Sequence, residues 1–145
     1  MADQELKKYF TYAQLKVMKE AIEDYRGSRK ERPRNFYGEV LSDSDRDFDI
    51  DVLVKRQLAT SLKNNVSLKS FGEHFEFCYN YLLKRINDNG HFNLWTNNPL
   101  LMERRAEFET RFLDKPLTRK LYKKEYERIS KDGTLEKILN YYEDY

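Results

Sequence analysis

Apolar residues recur along this chain at intervals of three and four, and five stretches read as amphipathic helices. The first begins at Phe10-Thr11. Thr11 and Gln14 have capping-box spacing, and Phe10 is placed to staple onto Leu15. Leu15, Met18, Ile22 and Tyr25 then form an apolar stripe that Gly27 closes, and residues 3–9 can add a short turn ahead of it. A second stripe, Ile50, Leu53, Val54, Leu58 and Leu62, ends at Asn64-Asn65. The third is the most regular: Ser67 as cap, then Leu68, Phe71, Phe75, Cys78, Tyr79, Leu82 and Ile86, stopping near Asn89-Gly90. Asn98-Pro99 sets a cap and a first-turn proline for a fourth helix with Leu101, Met102, Phe108 and Phe112. Asp114-Lys115-Pro116 divides it from a fifth with Leu117, Leu121, Tyr122, Tyr126 and Ile129. Asp132-Gly133-Thr134 precedes a short last helix from Leu135 to about Tyr142.

Between the first two stripes, Ser28 to Phe36 reads as a connector, because four basic residues and Pro33 disfavour a regular element there. Leucine outnumbers valine and isoleucine together and glycine is scarce, which favours helices over hairpins. The expectation is an all-α fold, a single compact bundle-like domain of about five or six helices over residues 1–145.

Composition adds bounds. The apolar share is 39% and the charged share 36%, so the core is modest, and eleven Tyr with nine Phe supply large buried areas in place of aliphatic residues. A net charge of +2 gives no global field toward nucleic acid or lipid. The single cysteine, Cys78, rules out an internal disulfide framework and a multi-cysteine zinc site. The opening Met-Ala-Asp-Gln-Glu lacks a basic stretch followed by an apolar one, and no apolar run is long enough to span a bilayer. A cytoplasmic protein with no membrane association and no cofactor is expected.

Candidate chemistry centres on five alternating aspartates, Asp43, Asp45, Asp47, Asp49 and Asp51, which run into Val52-Leu53-Val54. A helix puts Asp43, Asp47 and Asp51 on one face, whereas a strand aligns all five against their mutual repulsion. The expected form is a loop-to-helix transition, with Ser44 or Asp47 as cap and the other carboxylates near the positive end of the helix dipole. An EF-hand needs glycine at its sixth position and glutamate at its twelfth; from Asp43 these are Phe48 and Val54, and from Asp45 they are Ile50 and Arg56. Tyr37-Gly38-Glu39 followed by Asp49-Ile50-Asp51 resembles the small nucleotidyltransferases, in which a Gly-Ser turn precedes a strand with paired aspartates. That likeness implies two-metal phosphoryl chemistry at Asp49 and Asp51, although Glu39 stands at the family's serine position. Asp49 and Asp51 are therefore the residues to test for metal.

Arg85 and His91 have a spacing similar to the Arg-x4-6-His signature of the HEPN ribonucleases, an all-helical family in which those two residues act on the scissile phosphate. His74, between Glu73 and Glu76, reads as a boundary histidine, and Cys78 as a small buried hydrophobe. The basic connector, Arg29, Lys30, Arg32 and Arg34, is the best nucleic-acid feature, with Phe36 and Tyr37 beside it for stacking. More tyrosines are present than the stripes can bury, and exposed Tyr beside Arg suits a protein-recognition surface. The leading expectation is a regulatory or adaptor-type protein that binds another protein. Its contact surface would join Arg29, Lys30, Arg32, Arg34 and Tyr37 to Asp43, Asp45 and Asp47. A nucleic-acid binder using residues 26–34 and a metal-dependent or HEPN-like enzyme are the alternatives.

Overall fold

Helices α1 (Tyr12–Asp24), α2 (Phe36–Ser44), α3 (Ile50–Asn64), α4 (Phe71–Asn87), α5 (Pro99–Leu113) and α6 (Lys115–Lys131) form the regular structure in a computed structural model of the chain. It describes residues 5–26, 30–88 and 92–131, and no strand occurs among them. The fold is all-α. The last helix expected from Leu135 lies outside the described residues, as do Gly27 and Asn89-Gly90.

The chain divides into two compact units, one drawn from Met1–Arg46 and Asp88–Glu103, the other from Asp47–Asn87 and Arg104–Tyr145. In the first unit α1 packs on α2. The α1 start is the expected capping box: Gln14 N–H donates to Thr11 Oγ1 at 3.3 Å, and Gln14 Oε1 accepts from Thr11 N at 2.8 Å. Its inward face is not the expected one. Ala21 and Asp24 are buried, whereas Ile22 is 60% exposed and Met18 36%. The cause is close helix approach. Gly38 of α2 faces Ala21, and a Cβ added at Gly38 would lie 3.0 Å from the Pro33 Cβ and 3.4 Å from the Ala21 Cα. Large side chains on that face of α1 would hold the two backbones apart.

Helix α2 is not among the helices that the apolar stripes predict, and it begins at Phe36, the last residue of the expected connector. Asn35 caps it, accepting from Gly38 N at 2.9 Å. Helix α3 starts later than expected: its cap is Asp49, rather than Ser44 or Asp47, and Asp49 Oδ1 accepts from Asp51 N at 2.9 Å and Val52 N at 3.2 Å. Helix α4 also starts later. Ser70, rather than Ser67, closes a capping box with Glu73, whose carboxylate accepts from Lys69 N at 2.9 Å and Ser70 N at 2.8 Å. Those bonds, led by that from Lys69, hold the Glu73 carboxyl below its usual range. A turn in which Leu68 N donates to Asn65 O occupies the earlier position. Asn98 caps α5 as expected, and Asp114 caps α6 by accepting from Leu117 N at 3.0 Å.

In the second unit α3, α4 and α6 pack on one another. Its core is built from Ile50, Val54, Leu58, Phe75, Cys78, Tyr79, Leu82, Phe108, Phe112, Tyr122 and Ile129, all buried. Rings carry it: Tyr79 stacks on Phe112 at 4.8 Å, and Phe75 meets Tyr122 edge-on at 5.6 Å. Each such ring contributes about 1.5–3 kcal/mol by leaving water.

Candidate functional site

The five aspartates separate into five different structural roles. Asp43 sits on α2 at 2% exposure, and its carboxylate accepts from Trp95 N at 2.9 Å, from Thr96 N at 2.8 Å and from the Thr96 hydroxyl. Asp45 is the C-cap of α2. Asp47 accepts from Asp49 N at 3.0 Å and lies 3.6 Å from Arg56. Asp49 is the α3 cap and Asp51 lies in that helix's first turn. The paired-aspartate strand implied by the nucleotidyltransferase likeness is absent: Asp49 and Asp51 stand at a loop-to-helix junction. Among the described residues no group of three or more His, Cys, Asp or Glu side chains is placed to hold a metal ion.

The described cations of the basic connector do not pair with that acidic run. Arg34 binds Asp24 through its Nε at 2.8 Å and its backbone N at 2.9 Å, and reaches Glu23 at 2.6 Å. Arg32 meets Glu39 at 2.6 Å, and Lys30 meets Asp88 at 3.0 Å. Each cation thus finds a carboxylate outside the aspartate run, and the connector is strapped onto its own unit. Arg29 lies outside the described residues. Asp43 leaves the expected contact surface altogether, because it is buried. Arg46, within the same unit, donates to Asn93 O at 3.2 Å and Ser42 Oγ at 3.2 Å; burial pulls its pKa down against the opposing charges of Asp43 and Asp45.

Tyr37 stays on the surface, and it belongs to a larger feature that sequence reasoning missed. Helix α2 is inverted. Its buried positions are Gly38, Ser42 and Asp43, while Phe36 is 65% exposed, Tyr37 66%, Val40 44% and Leu41 37%. Phe36 and Tyr37 touch edge to face at 6.2 Å. A cleft of about 390 Å³ opens beside them, with Phe36, Val40 and Leu101 as apolar walls and Asp43, Ser44, Thr96, Asn97 and Asn98 as polar lining. The Asp43 bonds to Trp95 and Thr96 hold the 95–98 segment against α2 and so shape this cleft. The available signal was Asn35, a good cap directly ahead of Phe36, but the apolar spacing that followed pointed outward rather than to a core.

The remaining candidates are internal or undescribed. His74 is buried rather than at a boundary, and its Nδ1 lies 2.8 Å from Ser61 Oγ, which also accepts from Asn65 Nδ2 at 3.3 Å. Ser61 is itself 1% exposed, so this serine–histidine contact serves the core of the second unit. Cys78 donates to Gln57 O at 3.5 Å, and burial pushes its thiol up to about 11, which keeps it protonated and unreactive near neutral pH. Arg85 lies 4.8 Å over the Tyr81 ring, and His91, the other half of the HEPN-like pair, lies outside the described residues. No family model, curated protein or solved structure matches the chain. No helix of the described residues is long and apolar enough to cross a membrane.

Proposed function

We propose that the protein is a small cytoplasmic regulatory or adaptor-type module that acts by binding another protein, and that the outward face of α2 makes the contact. The observation that carries this reading is the inversion of α2, with Phe36, Tyr37, Val40 and Leu41 outside and Gly38, Ser42 and Asp43 inside. Leaving apolar side chains in water forgoes roughly 1.5–3 kcal/mol for each large one, and clustered exposure of this kind marks interaction surfaces. The rest of the first unit supports it. Among its described residues the buried apolar side chains are Ala21, Pro33 and Phe92, whereas Tyr9, Tyr12, Ile22 and Leu100 are exposed along with the α2 face. Large aromatic anchors beside a cleft with polar lining match the composition of binding hot spots.

The test is capture of partners from the native host by wild type and by Phe36→Ala/Tyr37→Ala/Val40→Ser, with circular dichroism as the fold control. Selective loss of a specific protein partner with unchanged helicity is the expected result. Equal capture by both forms, or loss only on substituting Lys30, Arg32 and Arg34, refutes the assignment to α2.

A further inference from the structure

Helix α6 carries seven basic and two acidic residues, a net charge of +5 in a chain whose total is +2. Its buried side is Thr118, Tyr122, Glu125 and Ile129. Three of the cations are engaged within the second unit. Lys115 lies 3.0 Å from Glu76 and 5.1 Å from the Tyr79 ring centre, Arg119 lies 5.2 Å over Phe71, and Arg128 binds Glu125 at 2.6 Å. The other four, Lys120, Lys123, Lys124 and Lys131, are exposed, and none of their side chains has an ion pair or hydrogen bond to a described residue. Helical spacing sets Lys120, Lys123, Lys124 and Lys131 along one outward stripe, with Glu127 its acidic member. At the helical rise the stripe is about 16 Å long.

We propose that this stripe binds the sugar-phosphate backbone of a nucleic acid, independently of sequence. The contrast with the connector separates it from an ordinary solvated face: Lys30, Arg32 and Arg34 each meet an intramolecular carboxylate, while Lys120, Lys123 and Lys124 are left as neighbouring like charges. A polyanion relieves that repulsion and releases its own counterions. A lipid surface fits less well, because an interfacial helix needs an apolar face, and Leu121, Tyr122 and Ile129 are turned away from the stripe, with Tyr122 and Ile129 buried. Base reading is not part of the assignment. Lysine ammonium groups are point charges, and the stripe has no Arg, Asn or Gln for bidentate recognition of base edges.

This site shares no residue with the α2 face, so either can fail without the other. The experiment is fluorescence anisotropy of the full chain with labelled random-sequence duplex and single-stranded oligonucleotides across a salt series. Phosphatidylserine vesicles serve as the competing anionic surface. Binding should weaken linearly in a log–log salt plot, by about 0.9 per phosphate contact for duplex or 0.7 for single strands. The variant Lys120→Gln/Lys124→Gln should lower affinity at least about tenfold at low salt and reduce the slope by about 1.4–1.8. Both positions are exposed, so the fold is retained, and circular dichroism checks it. Absent binding at low salt, binding untouched by the double variant, loss seen instead on substituting Lys30 and Arg32, or tighter binding to the vesicles than to either oligonucleotide overturns the proposal.

Discussion

The Asp43 carboxylate accepts both the backbone N–H and the hydroxyl of Thr96, a residue 53 positions further along the chain. With Trp95 N as a third donor, one buried anion organises the segment that walls the cleft beside α2. Replacing it by alanine leaves two backbone N–H groups without their acceptor. Asp43→Ala should cost about 2–4 kcal/mol, and Asp43→Asn roughly half of that. Urea unfolding measures the loss, and the emission of Trp95, the single tryptophan, reports whether the segment comes free. A loss below about 0.5 kcal/mol would show the bonds to be incidental.

Asp49 is an N-cap, which gives it a magnitude and a metal response that differ from those of a ligand. Asp49→Ala should cost about 1 kcal/mol through the freed N–H groups of Asp51 and Val52. Magnesium, manganese and calcium should leave the melting temperature of the wild-type protein unchanged. A metal-induced rise that Asp49→Ala and Asp51→Ala both abolish would restore the metal reading.

Two helical glycines should respond with opposite signs. Alanine gains up to about 1 kcal/mol over glycine inside a helix. At Gly72 the added Cβ meets only Ser70 Oγ, at 3.9 Å, so Gly72→Ala should stabilise by about 0.5 kcal/mol. At Gly38 the same atom is pressed against the Pro33 ring and the α1 backbone. Gly38→Ala should therefore destabilise by about 1–2 kcal/mol net, as overpacking outweighs propensity. Thermal unfolding of the pair decides it, and a stabilised Gly38→Ala variant would disprove the close approach of α1 and α2.

Tyr122 is fully buried, and its hydroxyl has no hydrogen-bond partner among the described residues. Burial, with Cys78 adding to it, raises its pKa above the ordinary phenol value. Removing an unsatisfied polar atom while keeping the ring should be neutral or favourable. Tyr122→Phe is expected to gain about 1 kcal/mol in chemical denaturation, and a loss of similar size would reveal a bond to this oxygen.

Cys78 sets a pH dependence. Its thiol titrates at about 11 in the folded chain, against an ordinary 9.0, so the unfolded chain releases this proton first. Its contribution is fully present below about pH 9 and is lost as pH rises toward 11, at roughly 1.4 kcal/mol per unit of difference. Cys78→Ala should be less stable at neutral pH, from the vacated core volume, yet lose less between pH 9 and pH 11 than wild type does. Parallel curves for the two proteins would rule the thiol out as the source.

Helix locations from Ile50 onward were legible in the apolar spacing, because those stripes face a core of ordinary depth. Caps were legible where the motif stood alone, as with Thr11-Gln14, Asn98-Pro99 and Asp114. They were misplaced where several acceptors competed. Asp43, Asp45, Asp47 and Asp49 all have cap chemistry, and Ser67 and Ser70 are equally good caps by type.

What the sequence by itself determined was therefore the all-α class, the stretches α1 and α3 to α6 and the aromatic core, since local periodicity, capping motifs and side-chain volume suffice for these. Tertiary structure alone decided which aspartate is buried, which carboxylates the connector's cations find, and that α2 turns its apolar residues outward. Those outcomes depend on contacts between positions far apart in the chain: Gly38 against Ala21, Arg34 against Asp24, Asp43 against Thr96. A periodic pattern marks one face of a helix as apolar. It does not say whether the protein's own core or some other molecule covers that face.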